Sequence, residues 1–395
     1  MTVVRDRHED HGATFREVAG RALPVDYGRP ERTHRAVRNG VGVVEHAFDV
    51  VVVTGEDRHE FVDDTVTNRV PTADGDGVYA LLLDPQGRIR VDCYVFATGD
   101  SLLAFLPAGE GGDVAAEWSD RTFVQDVDVS HRTGDFAVFG VHGPNATEKV
   151  ASTLGGASPP EDALTFVRGE MEEGVTVARD DDLAGEEGYL VVCGADDAGQ
   201  VFETLLVRGL NAVPFGLRTW ETLTLEAGTP LYETELAGRV PNVLGLGNAV
   251  DYEKGCFVGQ EVVSKVANRG RPSGRLVGLA LDDDALEGAG DDEGGGDALE
   301  GTGDADLGAG EGGADPPLPD AGATVRRDGD DVGEVTRAAA SPLREQRVAF
   351  AVVDYDVADG AVAVEAADGD LAGEVVGLPF VECGERSARL PRYDD

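Results

Sequence analysis

The chain has 395 residues, 41% of them apolar, and its 76 acidic side chains against 33 lysines and arginines leave a formal charge of −43. That length suits two or three domains with real cores. The charge leaves no broad basic face, which argues against a nucleic-acid partner and against an anionic membrane surface.

Positive charge is almost entirely arginine: Lys149, Lys254 and Lys265 are the only lysines. Abundant carboxylates with so few lysines suggest work at molar salt, where the Debye length falls to about 3 Å and carboxylate repulsion is screened. A halophilic cytoplasm is the expected setting. No run of about 18 apolar residues is present to span a bilayer. The opening "MTVVRDRHEDH" lacks the apolar core of a signal peptide. Cys93, Cys193, Cys256 and Cys383 lie far apart without CxxC spacing, so free thiols are expected rather than a disulfide framework or a zinc site.

In chain order, residues 50–65 read as a buried strand, a glycine turn at Gly55 and an amphipathic helix. "YALLLDPQGRIRVDCYVF" (79–96) reads as a hairpin, with Pro85 pre-setting φ in its turn and Gly87 accepting positive φ. "FAVFGVHGPNATEKVASTL" (136–154) repeats strand, turn and helix, with Gly143 in the place of Gly55. "GYLVVCGADDAGQVFETLL" (188–206) gives another strand and helix. Two α+β halves of similar plan are expected over 1–135 and 136–272. Residues 282–317 hold Asp, Glu, Gly and Ala in quantity and neither lysine nor arginine. They cannot bury enough apolar surface to offset ordering entropy, so a disordered acidic insertion is expected. "ATVRRDGDDVGEVTR" and "RVAFAVVDYD" alternate as strands do. A small barrel or sandwich is expected over 273–395, with the insertion as an overgrown loop between its early strands.

Two residues stand out chemically. Cys256, in "EKGCFVGQEVVSK" (253–265), is flanked by Gly255 and Gly259, which permit tight turns. Lys254 and Lys265 would favour its thiolate, whereas a small buried hydrophobe is the bland alternative. Asp92 interrupts the apolar alternation of "IRVDCYVF". There a carboxylate could accept a proton from, or hydrogen-bond, an amine in a cleft, and a solvated strand position is the alternative. "GEEGY" (185–189) places Glu186 and Glu187 in a turn, able to meet a ring N–H edge. "GLGNAV" (245–250) is Gly-rich but lacks the strand–loop–helix frame of a phosphate loop.

The run Lys254-Gly255-Cys256-Phe257-Val258-Gly259-Gln260-Glu261 resembles the KGC[FY]xGQE signature of YgfZ-type folate-binding proteins. These belong to the superfamily of the glycine-cleavage aminomethyltransferase, the T-protein. "NRGRPSGRL" (268–276) resembles the YgfZ continuation. "AGRALPVDYG", "THRAVRNGVGVVEHA", "ETLTLEAGTPLYETEL" and "VGEVTRAAASPLREQRVAFAVV" resemble T-protein segments along nearly the whole chain.

The resemblance implies an α+β fold of two halves and a closing β-barrel around a central hole, with a reduced folate, tetrahydrofolate or a derivative, bound there. It implies that Asp92 matches the catalytic second Asp of the T-protein pattern GGxxDDLxV, with Val91 in place of the first. The pterin-gripping Glu of that family falls on Leu190, after Tyr189, and an Arg falls on Trp220, near Arg218. Losing two such anchors removes charge-assisted hydrogen bonds of about 1.5–3 kcal/mol each, while Trp220 can still stack on a ring. By the same resemblance Asp92, Glu186, Glu187, Tyr189, Arg218, Trp220, Lys254 and Gln260 are candidate folate contacts. Cys256 is the candidate reactive group, on a loop shaped by Lys254, Gln260 and Glu261.

Three functions follow as expectations. The first is a YgfZ-like protein supporting the maturation of iron–sulfur enzymes. The second is an aminomethyltransferase taking a one-carbon unit from a lipoyl carrier protein onto tetrahydrofolate. The third is a non-catalytic scaffold that keeps the folate cleft and docks partners.

Overall fold

The computed structural model describes residues 2–282, 318–367 and 369–393. Apart from Asp282, the acidic insertion expected over 282–317 lies outside the described residues. A short helix, α1 (Arg5–Asp10), precedes the hairpin of β1 (Thr14–Val18) and β2 (Arg21–Asp26), then α2 (Pro30–Arg38) and β3 (Gly42–His46). The first strand–turn–helix unit follows as expected: β4 (Asp49–Thr54), Gly55 and α3 (Arg58–Asp63). The expected hairpin is β5 (Gly77–Leu83) and β6 (Ile89–Ala97), followed by β7 (Ser101–Leu106), α4 (Gly111–Asp120) and β8 (Asp128–His131). The second unit is β9 (Phe136–His142), Gly143 and α5 (Ala146–Thr153).

Beyond it run β10 (Phe166–Met171), β11 (Glu173–Arg179), β12 (Gly188–Gly194), α6 (Ala198–Val207), the two-residue β13 (Val213–Pro214), α7 (Leu217–Glu226) and α8 (Gln260–Arg269). The last strands are β14 (Gly274–Leu281), β15 (Thr324–Arg327), β16 (Asp330–Ser341), β17 (Gln346–Asp354), β18 (Gly360–Val364) and β19 (Leu371–Val376).

These make a five-stranded sheet in the order β5-β6-β7-β4-β8, a six-stranded sheet in the order β10-β11-β12-β9-β3-β13, and a closed barrel β14-β17-β16-β15-β18-β19. The turns at Gly55 and Gly143 need glycine for the same two reasons. Their φ values are +104° and +129°, and a Cβ would lie 2.0 Å from the Asp126 carbonyl oxygen and 2.5 Å from that of Gly40. Strand alternation then divides each sheet. Outer faces pack on helices: Val51, Val53, Phe61 and Trp118 in one cluster, Phe139, Val150, Val191 and Phe202 in another. Inner faces meet in a central cluster that joins Tyr94, Phe96 and Phe105 of one sheet to Val138 and Leu190 of the other, with Phe350 and Phe380 from the barrel end.

The chain does not respect the expected boundary at residue 135. β3 pairs antiparallel with β9 and parallel with β13, so residues 42–46 belong to the second sheet. The C-terminal segment also leaves the barrel. Glu385 donates its N–H to the Gly185 carbonyl, and Ala388 donates to that of Asp181.

Candidate functional site

A cleft opens between the inner faces of the two sheets, with an empty volume of about 1150 Å³ including its open mouth. Its walls come from both sheets and from β1, α7, the start of the π-helical segment Tyr232–Leu236 and the C-terminal segment. Alternation explains which side chains enter. On β6, Asp92 and Tyr94 share the inward face; on β12, Leu190 faces in while Tyr189 faces the outer helices.

Asp92 is only 6% exposed. Its carboxylate accepts from the Tyr79 hydroxyl at 3.1 Å and from Arg389 Nη1 at 3.1 Å. Arg389 reaches it across 297 residues of sequence. The same guanidinium lies 3.8 Å over the Tyr79 ring, donates to the Tyr94 hydroxyl, and pairs through Nε with Asp181 Oδ2 at 3.3 Å. Tyr94 closes the circuit by donating to Asp181 Oδ1 at 2.6 Å. Burial pushes both Asp92 and Asp181 above the usual carboxylate range, and Arg389 opposes it. Glu233 is raised as well, by burial and then by Asp92. Asp92, Tyr94 and Arg389 thus bring to the cleft wall a buried hydrogen-bonded group that continues behind it into Tyr79 and Asp181.

Opposite it, Trp220 lies edge-on to His46, with centroids 4.9 Å apart, and 4.8 Å from His142. Burial, with His142 beside it, pushes His46 down to about 3, so that ring is neutral at working pH.

The residues singled out from sequence divide sharply. Asp92 and Trp220 line the cleft, as does Leu190 in the place where the resemblance sets a pterin-gripping Glu. Arg218, Glu186, Glu187 and Tyr189 are not among its lining residues. Leu217, Trp220 and Glu221 follow helical spacing into the cleft, and Arg218, one residue round, is turned to an exposed face. Glu186 is buried against Cys383 and Gly384 of the C-terminal segment, and Glu187 Oε2 accepts the Thr147 N–H at 3.3 Å near the start of α5. The Tyr189 hydroxyl pairs with that of Thr147 at 2.7 Å, on the outer side of its sheet.

The signature loop lies elsewhere, so Asp92 and Cys256, the two residues that stand out chemically in the sequence, do not share this cleft. Cys256 is exposed, and neither it, Lys254 nor Gln260 lines the cleft. Lys254 is buried as an anchor: its Nζ donates to the carbonyls of Asp63 at 2.5 Å, Val66 at 3.0 Å and Asn68 at 2.9 Å, and lies 3.3 Å from Asp63 Oδ2. Gly259 has φ +81°, and a Cβ there would fall 2.6 Å from the Asp84 carbonyl oxygen at the tip of the β5–β6 hairpin. Gln260 begins α8 directly after it.

Sequence reasoning missed Arg389, Tyr79, Tyr94, Asp181, His46 and His142. A signal existed for the histidines, since each of two neighbouring apolar strands ends on one of only seven in the chain. Arg389, in an arginine-bearing tail, offered none. Among the described residues no cluster of His, Cys, Asp and Glu is arranged to hold a metal ion, and no helix is long and apolar enough to cross a membrane.

Both structural parts match known families. Residues 4–254 match the GCVT N-terminal domain, and residues 311–382 match the glycine cleavage T-protein C-terminal barrel domain. A probable aminomethyltransferase of Halobacterium salinarum is 33% identical over 294 residues, covering 70% of this chain and 78% of that protein. An aminomethyltransferase of Halalkalibacterium halodurans is 27% identical over 399 residues, covering 97% and 98%. The crystal structure of the glycine cleavage system aminomethyltransferase T from Bartonella henselae superposes with a TM-score of 0.79 at 22% identity, over 98% of each chain. The fold is thus that of the aminomethyltransferase superfamily, and the chain belongs to the glycine-cleavage T-protein (GCVT) family.

Proposed function

We propose that the cleft binds tetrahydrofolate or a derivative, and that the protein transfers a one-carbon unit to it in the manner of an aminomethyltransferase. The observation that carries this reading is Asp92, a buried carboxylate lining a cleft between the two sheets in a chain of this family. A buried carboxylate held by Tyr79 and Arg389 is suited to orient a folate ring nitrogen and take its proton as the new carbon–nitrogen bond forms. The donor is an aminomethyl group held through sulfur on a lipoyl carrier: its carbon–nitrogen bond breaks as ammonia leaves, its carbon–sulfur bond breaks to free the carrier thiol, and the carbon bonds to two folate nitrogens, whose two protons leave with the ammonia and the thiol. Much of the rate comes from holding the two reactants together. Trp220 supplies a stacking face. The acidic composition favours a salt-rich cytoplasm as the working compartment.

One observation favours a second reading, a YgfZ-like role in supporting iron–sulfur enzymes. Cys256 is exposed on a loop pinned from beneath by Lys254, which suits a thiol that meets a partner outside the cleft. Turnover with an aminomethyl-lipoyl carrier separates the two. The transferase reading expects a loss of about 10²–10⁴-fold in Asp92→Asn and no change in Cys256→Ala. The reverse pattern, or loss of iron–sulfur enzyme activities in a host carrying Cys256→Ala alone, favours the second. Folate binding without either effect leaves the scaffold.

A further inference from the structure

Three side chains on the inner face of the six-stranded sheet form a line that the reading above does not use. β3 and β9 pair with His46 opposite Val138, Val44 opposite Gly140, and Gly42 opposite His142. His46 and His142 therefore sit on one face at opposite ends of the ladder, with the Val44–Gly140 pair between them, and lean toward each other over Gly140. Their Nε2 atoms face at 3.5 Å. A Cβ on Gly140 would lie 2.4 Å from both nitrogens. One strand over, Gly188 pairs with His142, and a Cβ there would lie 2.2 Å from Asp180 Oδ2. Asp180 Oδ2 in turn lies at an ion-pair distance of 3.4 Å from His142 Nδ1, and among the described residues neither buried atom has a hydrogen-bond partner, so each is free to turn to the other. Two glycines thus vacate the sheet surface for a row running Asp180, His142, His46. All three residues line the cleft, and Trp220 covers the two rings.

We propose that Asp180, His142 and His46 are a proton relay opening on the cleft, which carries the proton given up by a bound amine away from the reacting atoms. This rests on the one-carbon transfer reading. An aspartate facing Nδ1 fixes the His142 tautomer with its proton on Nδ1, leaving a lone pair on Nε2. His46 must then present Nε2–H to it, which leaves His46 Nδ1 bare as the open end of the row. In the transfer two ligand N–H bonds break: Asp92 takes one proton, and the other forms a bond at His46 Nδ1 while the His46 Nε2 proton passes to His142 Nε2. The product is a His142 imidazolium beside the Asp180 carboxylate, with no electrons exchanged. Burial and His142 hold His46 far below the ordinary imidazole range, so it carries a proton without keeping it. The charged groups around the acceptor end are Asp180 itself, Arg179, whose Nη1 is 3.6 Å from Asp180 Oδ1, and the neighbouring Asp181 and Asp182. The faces of the rings are covered by Trp220, Phe48 and Phe215.

The test has two arms on the full chain. In ¹⁵N-histidine NMR from pH 5 to 9, the relay requires His46 to stay neutral with its proton on Nε2 and His142 to carry a proton on Nδ1. Independent protonation of His46 near pH 6.5, or both rings protonated only on Nδ1, would overturn it. In single-turnover transfer, His46→Gln and His142→Gln should each slow the chemical step about 30-fold or more. The double variant should be no worse than either alone, and tetrahydrofolate affinity should stay within about threefold of the parent. Gly140→Ala, which keeps both imidazoles and wedges a methyl between them, should reproduce the slowing. Losses that multiply, or affinity falling in step with rate, would overturn the relay in favour of simple ligand contacts. Absence of tetrahydrofolate binding by the parent protein would sink the folate reading, and the NMR arm would still decide the state of the row.

Discussion

The cleft around Asp92 and the loop around Cys256 solve opposite problems. In the cleft, a charged group is taken out of water and held by Tyr79 and by an arginine from the far end of the chain. In the loop, the thiol is left at the surface and the neighbouring lysine is buried beneath it. A local signature is easy to read in sequence because its parts are consecutive. The cleft is not, because its parts come from β3, β6, β9, α7 and the tail, and only folding brings them together. The most legible stretch of this chain is therefore not part of its most elaborate chemistry.

Arg389→Gln should break that contrast most severely. It leaves Asp92 and Asp181 buried without their cation, at a cost of about 3–5 kcal/mol. The sign with pH follows from the carboxyls. Without Arg389 their folded pKa values rise further above the unfolded ones, so the variant keeps most stability at acid pH and loses it as pH rises through the folded values. Denaturation from pH 4 to 8 should show the deficit growing with pH, and the acid limb of any Asp92-dependent activity should move to higher pH. A deficit that shrinks as pH rises would contradict the pairing. Lys254→Met comes next. It strips a charged donor from three carbonyls and from Asp63, with a loss of about 1.5–3 kcal/mol, read as a lower denaturation midpoint with the cleft's ligand affinity unchanged. Cys256→Ala is the smallest, within about 0.5 kcal/mol of the parent because an exposed side chain packs against little. A larger loss would mean that the loop depends on its thiol.

Much of the fold was readable. The units built on Gly55 and Gly143 follow from apolar strands ending at glycines that need positive φ, and the hairpin follows from Asp84-Pro85-Gln86-Gly87. Asp92 was readable as a carboxylate breaking an apolar alternation. The placement of β3 in the second sheet was not, because its apolar run suits either sheet and only pairing with β9 decides. Glu186 and Glu187 looked like ligands because adjacent acids draw attention, yet one faces the C-terminal segment and the other caps a helix start. Arg389 was invisible because nothing local marks an exposed-looking tail as the counter-charge of a strand residue 297 positions away.

The central claim is that the Asp92 cleft takes a reduced folate. Calorimetric titration of the full chain with tetrahydrofolate in molar KCl, at two temperatures, tests it most directly. The account predicts saturable one-site binding that Asp92→Asn weakens and Cys256→Ala leaves alone. No binding heat by the parent at either temperature, or binding that follows Cys256 and ignores Asp92, would contradict it.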